Sequence, residues 1–241
     1  MNSKVWDRFD FKGAIYYCGN VKTRIPDFER EIDRVGLMDV RPFYNCRTAY
    51  DELLQRAVVH SGKMNNIAPF STTLAHLRMV RYAFEIGAEH ALFFEDDVRF
   101  LKDVNDVIDF VESLPEDYDL ALFDWVHRKK ATDDEIRVMN DAAQNGGGTW
   151  IPIEVDLRSC AMYALSRRAM SYYVGLLEAP AQNWGRLKIC DQYWSRFVEA
   201  GFKCVCAAKP VAVQGAGDGY TSDDYMWGKY SRAGVRREDY A

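Results

Sequence analysis

The sequence predicts an α/β protein: one domain built on a mostly parallel central sheet flanked by helices. Short uncharged runs rich in β-branched and aromatic residues recur along it, and stretches with apolar residues at helical spacing lie between them. Strands separated by helices in this way favour parallel pairing through right-handed crossovers.

The first strand is residues 13–18 (GAIYYC). A polar turn follows over 19–24, and Pro26 sits where a first helical turn tolerates it. Phe28, Ile32 and Val35 keep helical spacing, Gly36 stops the run, and Val40 to Tyr44 makes the next strand. Ser71, Thr72 or Thr73 can cap a helix with Leu74, Leu77, Val80, Ala83 and Phe84 on one stripe, ended by Gly87. Residues 90–94 (HALFF) then form a buried strand that stops abruptly in Glu95-Asp96-Asp97. Val104, Val107, Ile108 and Val111 mark a third helix; after Pro115 the strand 119–123 (DLALF) again ends in a carboxylate, Asp124. Residues 127–150 are polar, with a short helix from Thr132 and a Gly146-Gly147-Gly148 hinge, the composition of a lid or of a plain surface loop. Residues 159–165 (SCAMYAL) read as a strand, and Ser166 can cap a helix bearing Met170, Tyr173, Val174 and Leu177. Asp191 can cap another with Trp194, Phe197 and Val198, before a late strand over 202–207. No linker separates two domains. Residues 1–241 read as one unit, with one half at about 13–125, a second at about 126–225 and a polar tail at 226–241.

Composition narrows the function classes. The 31 basic and 36 acidic side chains leave a net charge of −5, and 14% of residues are aromatic, which together exclude a disordered chain. Mild acidity argues against a nucleic-acid binder, though not against small anionic ligands. No apolar run approaches the ~20 residues of a membrane span. The opening MNSKVWDRFDFKG lacks an apolar core and cleavage site, so cytoplasmic chemistry is expected. The six cysteines (Cys18, Cys46, Cys160, Cys190, Cys204 and Cys206) form no CxxC pair, so reduced thiols are expected and a zinc motif is not.

The acidic triplet is the most informative stretch. Ligands of open α/β sheets collect beyond the carboxyl ends of strands. Three adjoining acids repel one another unless a cation intervenes, and hard divalent ions prefer carboxylate oxygen. In extended chain Glu95 and Asp97 point the same way, so both can face one ion while Asp96 points elsewhere. Such an ion would hold a diphosphate. The competing reading is a solvated turn with one acid capping the next helix.

Several segments together resemble glycosyltransferase family 25, the group of lipopolysaccharide-core and collagen galactosyltransferases. They are IYYCGNVKTRIPDFEREIDRVGL, TLAHLRMVRYAFEIGAEHALFFEDDVRF, AMYALSRRAM and CDQYW, in the family's order. Ala75 stands where the family has serine before His76. The resemblance implies a GT-A fold and a nucleoside-diphosphate sugar donor, most often UDP-galactose. It also implies Mn²⁺ or Mg²⁺ and transfer to a hydroxyl of a glycan or glycoconjugate with inversion. A lipid-linked acceptor would bring the chain to a membrane surface. Under this reading Asp97 holds the metal with Glu95 or Asp96 assisting, or Asp96 binds the ribose. Gln214 completes the metal or diphosphate site, with Asp218 as the alternative. Asn20 and Arg24 match the family's donor positions, and His76, in the second of these blocks, is a further donor-binding candidate, although a helix histidine can equally be structural. The acceptor hydroxyl needs a base within hydrogen-bond reach, Asp191 first and Asp124 second. Trp125, Trp150 and Trp184 are candidates for stacking on a sugar ring. Rival readings are a retaining transferase or one with a different donor, a non-catalytic carbohydrate-binding module, and a phosphoryl-transfer enzyme; for the last the GxxxxGK[ST] loop is missing.

Overall fold

The structure, a computed structural model, describes residues 3–17, 21–45, 68–127, 131–145, 149–178 and 190–214. The expected opening unit is present. Strand β1 (Phe11–Tyr17), helix α1 (Val21–Arg34) and strand β2 (Arg41–Asn45) form a parallel βαβ unit. Helix α1 starts ahead of Pro26, which therefore lies inside it and removes one backbone hydrogen bond. Its end follows from Gly36, which takes φ 67° and lets Leu37 N reach Ile32 O at 2.9 Å.

Helix α2 (Ala68–Glu85) also starts earlier than its polar residues suggest, so Ser71, Thr72 and Thr73 lie in its body and do not cap it. The first two turn their hydroxyls to the sheet instead. Ser71 Oγ donates to Asn45 Oδ1, and Thr72 Oγ1 accepts from the Tyr17 hydroxyl. Strand β3 (His90–Glu95) pairs parallel with β1. It turns through Asp96-Asp97 into the short strand β4 (Val98–Phe100), and Asp103 caps helix α3 (Val104–Glu112). Strands β5 (Leu120–Leu122) and β6 (Val126–His127) follow. In the polar excursion, Thr132 and Glu135 exchange hydrogen bonds as a capping box that opens helix α4 (Asp133–Asn145). The chain continues through β7 (Trp150–Pro152), β8 (Leu157–Arg158) and β9 (Met162–Ser166). Helix α5 (Arg167–Glu178) is capped by Ser166, whose Oγ accepts from Ala169 N. A 3₁₀ turn (Cys190–Tyr193), helix α6 (Trp194–Glu199), β10 (Cys204–Ala207) and β11 (Ala212–Gln214) complete it.

The main sheet has seven strands in the order β2-β1-β3-β9-β5-β10-β7. Five run one way; β9 and β7 run against them, β9 antiparallel to both β3 and β5. The architecture is thus α/β with a mixed sheet, and β9 inserts a segment of the expected second half between two strands of the first. Successive residues of β3 serve opposite faces. Ala91 and Phe93 join Leu77, Val80 and Tyr173 on one side, and Leu92 and Phe94 join Phe28, Phe100 and Val107 on the other. Burial on both faces is why HALFF is an unbroken apolar run. No helix among the described residues is long and apolar enough to cross a membrane.

Candidate functional site

The carboxyl ends of β1, β3 and β5 and the amino end of β9 lie at one edge of the sheet. Here β3 stays bonded on both sides to its last residue: Glu95 N donates to Ala161 O and Asp96 N to Ile15 O. The acids that follow are held rigidly. Asp96 Oδ2 accepts from Tyr17 N at 2.8 Å, and Arg24 of α1 lies 3.3 Å from Asp96 Oδ1 and 2.5 Å from Asp97 Oδ2. The guanidinium also stands 5.3 Å over the Tyr17 ring. Strand β11 pairs antiparallel with β4 and sets Gln214 opposite Val98. From there its Nε2 donates to Glu95 Oε2 at 3.3 Å and to Asp97 Oδ2 at 3.2 Å.

The structure thus gathers Arg24, His76, Glu95, Asp96, Asp97 and Gln214 from four separate segments. Glu95 and Asp97 share Gln214 Nε2, but Asp96 and Asp97 lie in a turn and not in extended chain, so Asp96 does not point away: it shares Arg24 Nη2 with Asp97 and takes Tyr17 N. Two roles change. Gln214 meets the acids through its amide nitrogen, which donates and cannot ligate a cation; its oxygen would do so only with the amide turned over. His76 is fully buried in α2 behind Glu95, with Nε2 3.0 Å from Glu95 Oε1 and Nδ1 2.8 Å from the Tyr163 hydroxyl. The described contacts make it a residue that positions Glu95, and they give it no face toward a donor.

Three carboxylates face a single guanidinium here. Burial, reinforced by Glu95 and Asp96, pushes Asp97 up to about 8 despite Arg24 and Gln214. Burial likewise lifts Asp96 to about 6 against the pull of Arg24 and Tyr17 N. Burial opposes the charge of Arg24, but Asp97, Asp96 and Glu95 hold its pKa above the ordinary guanidinium value. Asp97 Oδ1 is buried and has no hydrogen-bond partner among the described residues. An uncompensated buried carboxylate oxygen beside two further acids suits a hard divalent cation.

Asp124 lies at the end of β5, fully buried, and accepts a hydrogen bond from Ser159 Oγ. Ser159 takes φ 121°, a backbone conformation that costs a non-glycine residue on the order of 1–3 kcal/mol and is concentrated at functional sites. Asp191 is half-buried in the 3₁₀ turn, its carbonyl accepting from Arg158 Nη1 at 3.2 Å. It does not cap the helix: the N-cap of α6 is Tyr193, with no side-chain cap bond, because the 3₁₀ turn comes between. Trp125 is fully buried with Nε1 on Ala207 O, and Trp150 packs edge-on against Phe123 with Nε1 on Phe110 O. Trp125 is therefore core and not a sugar platform. Asn20, Trp184, Asp218 and the Gly146-Gly147-Gly148 hinge lie outside the described residues.

Sequence reasoning missed Ser159, and it missed that Cys160 and Cys190 approach to 3.1 Å between sulfurs beside His76 and Glu95. A positive φ at serine leaves no mark in composition, and the thiol pair spans 30 positions. Searching for local CxxC spacing cannot find it.

No family model matches this chain, and no curated protein matches it significantly. The functional reading rests on the residues and their placement.

Proposed function

We propose that this chain is a metal-dependent glycosyltransferase of GT-A type. It moves a hexose, galactose first among the candidates, from a nucleoside-diphosphate sugar such as a UDP-sugar to a hydroxyl of a glycan acceptor, with inversion. The observation that carries the reading is the acidic triplet at the carboxyl end of β3, gathered with Arg24 and Gln214 and leaving Asp97 Oδ1 buried and unsatisfied among the described residues. Its place at the carboxyl edge of an α/β sheet is where phosphate-bearing ligands collect in such folds. The resemblance to glycosyltransferase family 25 supports it further.

The residues divide the work of a single in-line displacement. Asp97, with Glu95 alongside, would hold Mn²⁺ or Mg²⁺, which when bound supplies positive charge against the leaving diphosphate. Arg24, anchored on Asp96 and Asp97, adds a fixed cation at the same edge. Asp96 Oδ2 braces the turn through Tyr17 N, and its Oδ1, beside Arg24 but without a hydrogen-bond partner among the described residues, is the atom that would take a ribose hydroxyl. Asp191, the half-buried carboxylate, takes the proton of the attacking hydroxyl; Asp124, clamped by Ser159, is the second candidate for that proton. The transition state has oxocarbenium character, as in glycoside hydrolysis.

The test is a thermal-shift and turnover screen of nucleotide sugars with and without Mn²⁺, on the wild type and Asp97→Ala. Stabilisation and donor turnover that need both metal and Asp97 support the reading. Full activity of Asp97→Ala in chelator overturns the metal assignment, and no turnover or stabilisation with any nucleotide sugar overturns the enzyme.

A further inference from the structure

Behind the acidic turn lies a second set of donors that shares Glu95 alone with the proposed Mn²⁺ or Mg²⁺ site: its Oε1 faces His76, while its Oε2 faces Gln214 and Asp97. The Nε2 of His76, a carboxylate oxygen of Glu95 and the sulfurs of Cys160 and Cys190 all lie within 4.8 Å of one another, and all four residues are buried. It is the one such gathering of His, Cys, Asp and Glu ligand atoms among the described residues. Four segments supply it: the body of α2, the end of β3, the approach to β9 and the 3₁₀ turn before α6.

We propose that these four side chains form a tetrahedral zinc site that staples the helical face to the sheet. The donor chemistry selects the ion. Two thiolates, one imidazole and one carboxylate suit zinc, whereas Mn²⁺ and Mg²⁺ favour oxygen alone. Four protein ligands with no open position mark a structural centre. The histidine is arranged as metal-bound histidines are. Its Nδ1 meets the Tyr163 hydroxyl at 2.8 Å, which orients the ring; with zinc bound, Nδ1–H would donate to that hydroxyl and the Nε2 lone pair would face the ion. Nε2 and Glu95 Oε1 stand 3.0 Å apart, and two acceptors at that distance need a proton or a cation between them. The sulfurs, at 3.1 Å, are closer than non-bonded sulfur atoms rest, and would open to about 3.7 Å around an ion at ~2.3 Å from each. Binding would release to solvent the protons of both thiols and the proton held between His76 and Glu95, so one dication replaces three protons and the net charge of the cluster falls by one. The staple would also fix the turn that carries Asp191.

The experiment uses the full chain expressed with zinc supplementation, dialysed and assayed for metal content. The expected result is about one zinc per chain, released by a mercurial that caps thiolates, with content falling about tenfold or more in Cys160→Ser and Cys190→Ser. Cys204→Ser and Cys206→Ser, at buried thiols on β10, keep their zinc. Should the first two variants fail to fold, the wild type reconstituted with Co²⁺ decides, because thiolate–cobalt charge-transfer absorption appears only if sulfur ligates and its intensity scales with the number of ligating thiolates, two being expected. Sub-stoichiometric zinc with no such absorption overturns the site. So does unchanged zinc in Cys160→Ser and Cys190→Ser, or a Cys160–Cys190 disulfide in the purified protein. Asp97→Ala keeps its zinc, so failure here is distinct from failure of the transferase reading.

Discussion

Replacing Asp97 with asparagine should stabilise the protein while destroying its metal response. In the metal-free state the Asp97 carboxyl titrates at about 8, against 3.8 for a free one. A carboxyl whose folded pKa lies above its unfolded value favours folding at acid pH. That contribution is complete below the unfolded value and is lost as pH rises through about 8. Between 3.8 and about 8 each pH unit costs up to ~1.4 kcal/mol, because the unfolded carboxyl ionises while the folded one keeps its proton; by neutral pH this disfavours the fold by on the order of 2–4 kcal/mol, the attraction to Arg24 included. Asparagine keeps the shape, still accepts from Gln214 Nε2 through its carbonyl oxygen, and cannot ionise; Arg24 keeps its contact with Asp96. At ~2–4 °C per kcal/mol for a chain of this size, the variant's Tm after dialysis against chelator should exceed wild type by roughly 5–10 °C at neutral pH. The gap should close toward pH ~4, where the carboxyl of the unfolded chain is protonated as well. Added Mn²⁺ should raise the wild-type Tm and leave the variant's where it was. A variant that melts below wild type at neutral pH would refute the electrostatic argument. An equal Mn²⁺ response in both would refute the metal assignment.

The two base candidates separate kinetically. Asp191→Asn should lower kcat by about 10²–10⁴-fold with donor Kd unchanged, and unchanged turnover removes it as base. If Asp124 is the base instead, Asp124→Asn carries that loss. Ser159→Ala removes the hydroxyl that Asp124 accepts and keeps the strained backbone, so it should cost about 1–2 kcal/mol in chemical denaturation; no loss would mean that the Ser159–Asp124 contact does not matter to folding. Phe94→Ala, fully buried against Phe28 and Phe100, should cost about 3–5 kcal/mol, and a loss under 1 kcal/mol would contradict the packing of that face.

Much of the fold is legible in the primary structure because its cues are local. Apolar spacing, Gly36 and Gly87 as helix ends, and the uncharged runs at β1, β3 and β5 each depend only on neighbouring residues. The acidic triplet is legible for the same reason: three adjoining carboxylates after a buried strand conflict with burial in a way that composition alone reveals. Strand direction is not written so locally. The run in β9 is apolar because both of its faces are covered, and it would look the same parallel or antiparallel to β3. Helix starts set by the sheet, as where Ser71 and Thr72 bond to β2 and β1, also escape a propensity argument.

By itself, then, the amino-acid order determines which segments are helix or strand and that a costly cluster of charge sits at one strand end. Only the tertiary structure decides what meets that charge. Arg24 arrives on α1, Gln214 through the pairing of β11 with β4, and His76, Cys160 and Cys190 from three further segments. Such meetings depend on contacts tens of residues apart, set by how buried faces pack, and no local period in the chain encodes them.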